Sequence, residues 1–312
     1  MNLKFFTENV FSGRPPLHAT GRTDMNWIYL LGENHPFHKP LTEMVDIGII
    51  IIPKVNPETA LEFYRRFKSK CHYWLWMQEA DQTYWQTWNV STQFEFIEFI
   101  TSIDAILCHN ENDVNYFGNL FNKPAYILPT VMITDNITLK SVERHGVMIN
   151  GTLCQWYNGM DSLIIAQHLD EPVYAPSMGR KTKEENFVDE MTYIPYSNWQ
   201  EWMVHLNSKK YAINLMRTAA AGSFSLNCAY LGIPCIGWNM IDTQRKCFPE
   251  LSFDVGDMKS VLHVINHIKS NSLFYDHVSA VAKQKYNSIY EKQIFINHIN
   301  NIIEEITNER RS

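Results

Sequence analysis

The chain has 312 residues, 45% of them hydrophobic and 13% aromatic, with a formal net charge of −6. That content excludes a disordered chain and is enough for about two separately buried cores. The acidic balance excludes the global basic field that advertises nucleic-acid binding, although basic residues cluster at Arg65, Arg66, Lys68 and Lys70 and again at Arg180, Lys181 and Lys183, where a solvated helix or loop face is the plainer reading.

The first residues run from a short apolar stretch straight into Thr7, Glu8 and Asn9, which is not the pattern of a secretory signal. The longest aliphatic run, residues 47–52, is far too short to cross a bilayer, so a soluble, cytoplasmic protein is expected. Cys71, Cys108, Cys154, Cys228, Cys235 and Cys247 form no CxxC pair and read as reduced core thiols. His35 and His38 are close enough to share a ligand, but a proline-rich surface loop explains them better. No metal and no cofactor is expected.

In chain order, residues 2–6 read as a first strand, followed by a Gly/Pro-rich segment at 11–24 and strand candidates at 27–31 and 47–52. Residues 56–69 form a helix with Asn56 as N-cap, Pro57 in its first turn and Glu58 suited to the dipole. A strand at 73–77, a helix at 94–101, a strand at 105–108, a helix at 110–120 and a strand at 125–128 complete the first half. Beyond a polar connector at 134–144 the alternation restarts, with a strand at 147–150, a loop at 151–159, a helix at 161–169, strands at 173–175 and 192–194, a helix at 198–207 and a strand at 210–215. Such alternation calls for parallel sheets with helices on both faces. After residue 237 come a helix at 257–269 and a long helical pattern at 275–309, with Ile289, Ile296, Ile299, Ile303 and Ile306 on one face.

The stretch 217–237, RTAAAGSFSLNCAYLGIPCIG, carries the most chemistry. Gly222 and Ser223 supply a tight turn, 224–230 a short apolar helix, Gly232 its stop and 234–237 a buried strand. A helix that begins at a small-residue loop presents backbone N–H groups and a positive dipole end, and Arg217 stands just ahead of it at the end of a strand. Phe224 falls in the first turn. The plainer alternative is a tight joint whose small residues only let helix and sheet approach closely.

These residues resemble the GT-B fold of nucleotide-sugar-dependent glycosyltransferases, most closely the family 4 group, over nearly the whole chain. The resemblance implies an α/β protein of two Rossmann-like domains facing across a cleft, with an acceptor domain at 1–136, a donor domain at 137–280 and a terminal helix at 281–312 that crosses back to the first. It implies that the loop carrying Gly151, Thr152, Tyr157 and Asn158 lies near the donor diphosphate, and that Tyr193, Pro195 and Tyr196 leave a strand where related enzymes hold the nucleobase. The family usually places two glutamates eight positions apart in the donor loop and helix, whereas this chain has Ala219 and Asn227 there. Where a basic residue commonly follows the first strand of the donor domain, this chain has Gln155, Trp156 and Tyr157.

In the first domain Glu79 and Asp81 follow a strand, so either carboxylate is a candidate catalytic base or acceptor-orienting group; a loop carboxylate capping the next helix is the alternative. The chain is also similar to glycosyltransferases of tailed phages, some of which decorate hydroxymethylated cytosines in DNA. On that reading the partners are a nucleotide sugar, best a UDP-sugar, and DNA, with Arg14, Arg22, Trp76 and Trp85 on the acceptor side. A cell-surface glycan transferase, a nucleotide-sugar epimerase and a non-catalytic nucleotide-sugar-binding protein stay open.

Overall fold

The computed structural model describes residues 2–8, 11, 13–79, 81–177 and 188–309, so the basic cluster at Arg180, Lys181 and Lys183 lies outside the described residues. The chain divides into two compact units, one of Met1–Val131 with Lys292–Ser312 and one of Met132–Glu291.

In the first unit the elements run β1 (Leu3–Thr7), α1 (Thr23–Leu31), β2 (Glu33–Pro36), β3 (Val45–Ile51), α2 (Pro57–Phe67), β4 (Cys71–Met77), α3 (Val90–Ser102), β5 (Ala105–Cys108), α4 (Glu111–Phe121) and β6 (Ala125–Ile127). The six strands form one parallel sheet in the order β2-β1-β3-β4-β5-β6. Because side chains alternate across a strand, Phe5 and Phe6 enter different cores. Phe6 joins Ile50, Trp74 and Trp76 beneath Phe63 of α2 and Phe96 of α3, whereas Phe5 joins Ile47, Ile49 and Leu75 beneath Trp27 and Ile28 of α1. Each such fully buried large side chain contributes about 1.5–3 kcal/mol relative to exposure.

The second unit contains β7 (Val147–Ile149), α5 (Gly159–Gln167), β8 (Val173–Pro176), β9 (Thr192–Ile194), α6 (Trp199–Asn207), β10 (Tyr211–Asn214), α7 (Ser223–Leu231), β11 (Cys235–Trp238), α8 (Asp242–Cys247), β12 (Ser252–Phe253), α9 (Met258–Ser270) and α10 (Ser272–Lys285). Its parallel sheet has the order β12-β11-β10-β7-β8-β9. Numbered within the unit this is the doubly wound order of dinucleotide-binding sheets, and the winding reverses between β7 and β10. In the first unit the reversal falls between β1 and β3.

Four elements differ from the sequence reading. Residues 27–31, expected as a strand, belong to helix α1, whose Trp27 and Ile28 are buried; a short apolar run does not by itself distinguish the two. The segment around His35, expected as a loop, is the edge strand β2, which tolerates Pro36 at its end. Asn56 sits at the N-cap of α2 but in the left-handed region (φ 57°), and its side chain makes no capping hydrogen bond. The long terminal helix is interrupted: a π-helical turn at Tyr286–Tyr290 separates α10 from α11 (Lys292–Glu309). Ile299, Ile303 and Ile306 of α11 are buried on the first unit's sheet, where Tyr73 Oη donates to the Thr307 carbonyl at 3.4 Å, while Ile289 packs on the second unit's core.

Among the described residues all six cysteines are free and all but the half-buried Cys154 are buried; burial pushes the Cys71 and Cys247 thiols up to about 12.

Candidate active site

In the second unit Gly151, Thr152, Tyr157 and Asn158 follow β7 and Arg217, Gly222, Ser223 and Phe224 follow β10, the two strands between which the winding reverses, whereas Tyr193, Pro195 and Tyr196 belong to or follow the edge strand β9. Open α/β sheets bind ligands at such a reversal. Asn150, just past β7, donates through Nδ2 to Asn214 Oδ1 at the end of β10 (2.8 Å). Asn214 Nδ2 donates to Ser225 Oγ in the first turn of α7 (2.7 Å), and Ser225 Oγ donates to Gln244 Oε1 of α8 (2.8 Å). This line of mostly buried polar groups fixes two strand ends, α7 and α8 against one another, because breaking any member would leave a buried partner unsatisfied.

Gly222 precedes α7 with φ 75°, a left-handed conformation that disfavours any side chain, and an added Cβ would overlap Thr243 Oγ1. Thr243 Oγ1 donates to the Gly222 carbonyl at 2.7 Å, and no side chain caps the helix. The first-turn N–H groups beginning at Ser223 and Phe224 are therefore available for an anion, while the Phe224 side chain is buried near Trp202. Arg217, exposed beside this turn, pairs with Asp161 of α5 at 3.1 Å.

The loop after β7 is closely built. Gly151 is left-handed (φ 89°), and the buried Tyr157 ring occupies the space a Cβ would need. Tyr157 thus supports the loop from within. Thr152 is fully buried with no partner at Oγ1, and Asn158, left-handed, stands at the N-cap of α5. Of the residues expected near the base, Tyr193 packs against the core and Pro195 is exposed, while Tyr196 is 81% exposed and has a ring face open for stacking. Asn227, where the resembled family has a glutamate, is buried; with its amide turned to satisfy both ends it donates to the Ser223 carbonyl (2.9 Å) and accepts from Trp202 Nε1 (3.0 Å).

In the first unit a cavity of about 20 Å³ opens past β3 and β4, lined by Ile52, Lys54, Trp76, Glu79, Asp81 and the aromatic residues Tyr84, Trp85, Trp88 and Phe117. Both expected carboxylates reach it, in different states. Glu79 Oε1 lies 3.5 Å from Arg22 Nη2 and 4.0 Å from Lys54 Nζ, yet burial outweighs these cations and raises its pKa. Asp81 Oδ1 accepts from Thr83 N and Thr83 Oγ1, both at 2.8 Å, a local turn contact just ahead of Tyr84–Thr87; no side chain caps that turn, and the cap of α3 is Asn89.

The acceptor-side expectations divide. Trp76 is 6% exposed and wedged edge-on between Phe96 and Phe117, so it is chiefly a core residue. Trp85 is half-buried and its Nε1 has no partner. Arg22 binds Asp24 as well as Glu79, whereas Arg14 is exposed and not among the residues lining the cavity.

Two residues here escaped the sequence reading. Lys54, past β3, supplies the second cation beside Glu79. His109, past β5, is buried, stacks on Trp27 at 5.3 Å and has no partner at Nδ1; burial and then Lys54 lower its pKa to about 4, so it is neutral at pH 7. Its position directly after the apolar run 105–108 was the available signal. Among the described residues no cluster of His, Cys, Asp or Glu could hold a metal ion, and no helix is long and apolar enough to cross a membrane.

The two doubly wound units define an α/β protein of the GT-B class, which is also what the solved structures return. Sucrose-phosphate synthase from Thermosynechococcus elongatus matches with a TM-score of 0.66 and 8% identity, over 85% of this chain and 74% of that one. An α-glucosyltransferase solved with UDP-glucose and DNA containing an abasic site matches with a TM-score of 0.66 and 11% identity, over 98% of each chain. The Anabaena protein HepE, solved with UDP, matches with a TM-score of 0.66 and 7% identity, over 99% of this chain and all of that one. Some matched structures are longer, and the chain spans 54% of their length. Neither a protein-family model nor a curated protein sequence matches the chain.

Proposed function

We propose that the protein is a glycosyltransferase that moves a sugar from UDP to a hydroxyl acceptor, and that the acceptor is a hydroxymethylated pyrimidine in DNA. The observation that carries the donor half is the placement of Arg217 and the uncapped start of α7 where the winding of the second sheet reverses. A departing diphosphate needs its charge neutralised, and a cation beside backbone N–H groups at a fixed helix start supplies that neutralisation. Tyr196, exposed past β9, offers a ring for the uracil.

Glu79 is the base in this reading. Burial raises its pKa above the ordinary carboxylate value, which makes the ionised group a better acceptor for a hydroxyl proton. Asp81 shapes the cavity wall. The acceptor half draws support from the α-glucosyltransferase solved with UDP-glucose and DNA, which this chain matches from end to end. With a net charge of −6, DNA contact has to rest on local cations rather than on a global field, and Arg14 and Arg22 are the candidates.

The test is to incubate the protein with a panel of UDP-sugars and hydroxymethylcytosine-containing DNA, digest to nucleosides and look for a sugar adduct by mass spectrometry. Transfer to a saccharide or lipid with no nucleoside adduct would move the protein to the cell-surface glycan group. Interconversion of free UDP-sugars would make it an epimerase, and donor binding without either reaction a binding protein.

A further inference from the structure

The ion pair between Arg217 and Asp161 spans the place where the donor phosphates would lie. Arg217 follows β10 and Asp161 lies in the first turn of α5, which follows β7, the strand paired directly to β10. The pair therefore joins residues 56 apart in sequence across the reversal of the sheet. Asp161 is not a loosely tethered surface acid. Asn158 Nδ2 donates to the same Oδ2 at 2.9 Å, and Asn158 is held in the left-handed region at φ 50°. That bond aims the carboxylate at the arginine.

Both side chains keep contact with solvent, at 58% for Arg217 and 32% for Asp161, so an incoming anion can reach them. The guanidinium has five N–H donors, and its charge is drawn toward a carboxylate where the proposed ligand is itself an anion. Two like charges cannot share that cation without repulsion. We propose that Asp161 is an internal counter-ion that occupies Arg217 until a nucleoside diphosphate displaces it, and that it thereby limits how tightly the donor and the released diphosphate are held. The proposal rests on the donor-site reading above. Asp161 weakens binding of the nucleotide but eases its departure, a useful property where product release limits turnover.

The test is calorimetric titration of UDP into the full chain and into Asp161→Asn, Arg217→Ala and the double variant, each first checked for an unchanged melting temperature. Asparagine keeps the size of the side chain and a hydrogen bond to Asn158 while removing the charge; Asp161→Ser is the second variant should the amide disturb that turn. Since an exposed pair of this kind is weak, Asp161→Asn is expected to tighten UDP binding by about two- to fivefold. In the Arg217→Ala background the same change should have little effect, because Asp161 acts through the arginine. Unchanged or weaker binding in Asp161→Asn, with UDP still bound by the unaltered chain, overturns the counter-ion proposal and leaves the donor site standing. An equal gain with and without Arg217 also overturns it. No UDP binding by the unaltered chain removes the donor site itself.

Discussion

Arg217 and Glu79 occupy comparable places in the two units, each just past the carboxyl end of a central parallel strand, but their surroundings differ in one decisive respect. The Arg217 side chain is 58% exposed and meets a single carboxylate, whereas that of Glu79 is 23% exposed and meets two cations. At the exposed site the partner is exchangeable, because water screens both members and little is lost on separation. At the enclosed site desolvation outweighs even two nearby cations and shifts the proton equilibrium itself. On the proposed function, the same sheet architecture provides an anion-receiving end in one unit and a proton-accepting end in the other.

The sharpest way to break this contrast is Glu79→Gln. Transfer should fall by about 100- to 10,000-fold while UDP affinity, measured by calorimetry, stays put. Full transfer rates in this variant would place the base elsewhere, and Asp81→Asn is the companion, expected to have the smaller effect because its carboxylate is engaged by Thr83.

His109 tests the enclosed end through pH. Its folded pKa of about 4 lies below the ordinary value of 6.5, so the unfolded chain binds the proton more readily. The stability from keeping the imidazole neutral is whole above pH 6.5 and is lost as pH falls toward 4, by about 3 kcal/mol in all. Denaturant melts across this window should lose that slope in His109→Phe, which keeps a ring against Trp27. Glu79 works in the opposite sense. A raised carboxylate pKa favours folding below the ordinary value and costs stability as pH rises through and beyond it, so Glu79→Gln should flatten a decline just above pH 4.5.

Arg217→Ala should weaken UDP binding by about 10- to 100-fold, the usual cost of a lost charge-assisted contact, with the melting temperature unchanged. Unchanged affinity would take Arg217 out of the site. A comparable effect is expected on the fold beneath it: Gly222→Ala forces a side chain into a left-handed position against Thr243 and should lower stability by about 1–3 kcal/mol, seen by denaturant unfolding.

The helix start at Gly222 and the strand ahead of Arg217 were legible because both depend on local chemistry: a glycine that permits φ 75°, a second at Gly232 with φ 65°, a short apolar helix between them and apolar runs of strand length on either side. Helix α1 was not. Its apolar residues 27–31 fit a strand as well as a helix, and the choice is made by the sheet onto which Trp27 and Ile28 pack. The terminal helical pattern was visible, but not that Ile289 and Ile299 serve different cores.

Within the site the same division holds. Sequence by itself determined the alternating α/β pattern, the strand ends that carry Glu79 and Arg217, and the small-residue loop before α7, since each follows from periodicity or from a backbone conformation that few residues adopt. Tertiary structure alone decided that Asp161 meets Arg217, that Lys54 and Arg22 meet Glu79, and that His109 is neutral while Trp76 belongs to the core. Those outcomes depend on distance and burial between residues far apart in the chain. Charge pairing and desolvation act through space, and no local pattern encodes them.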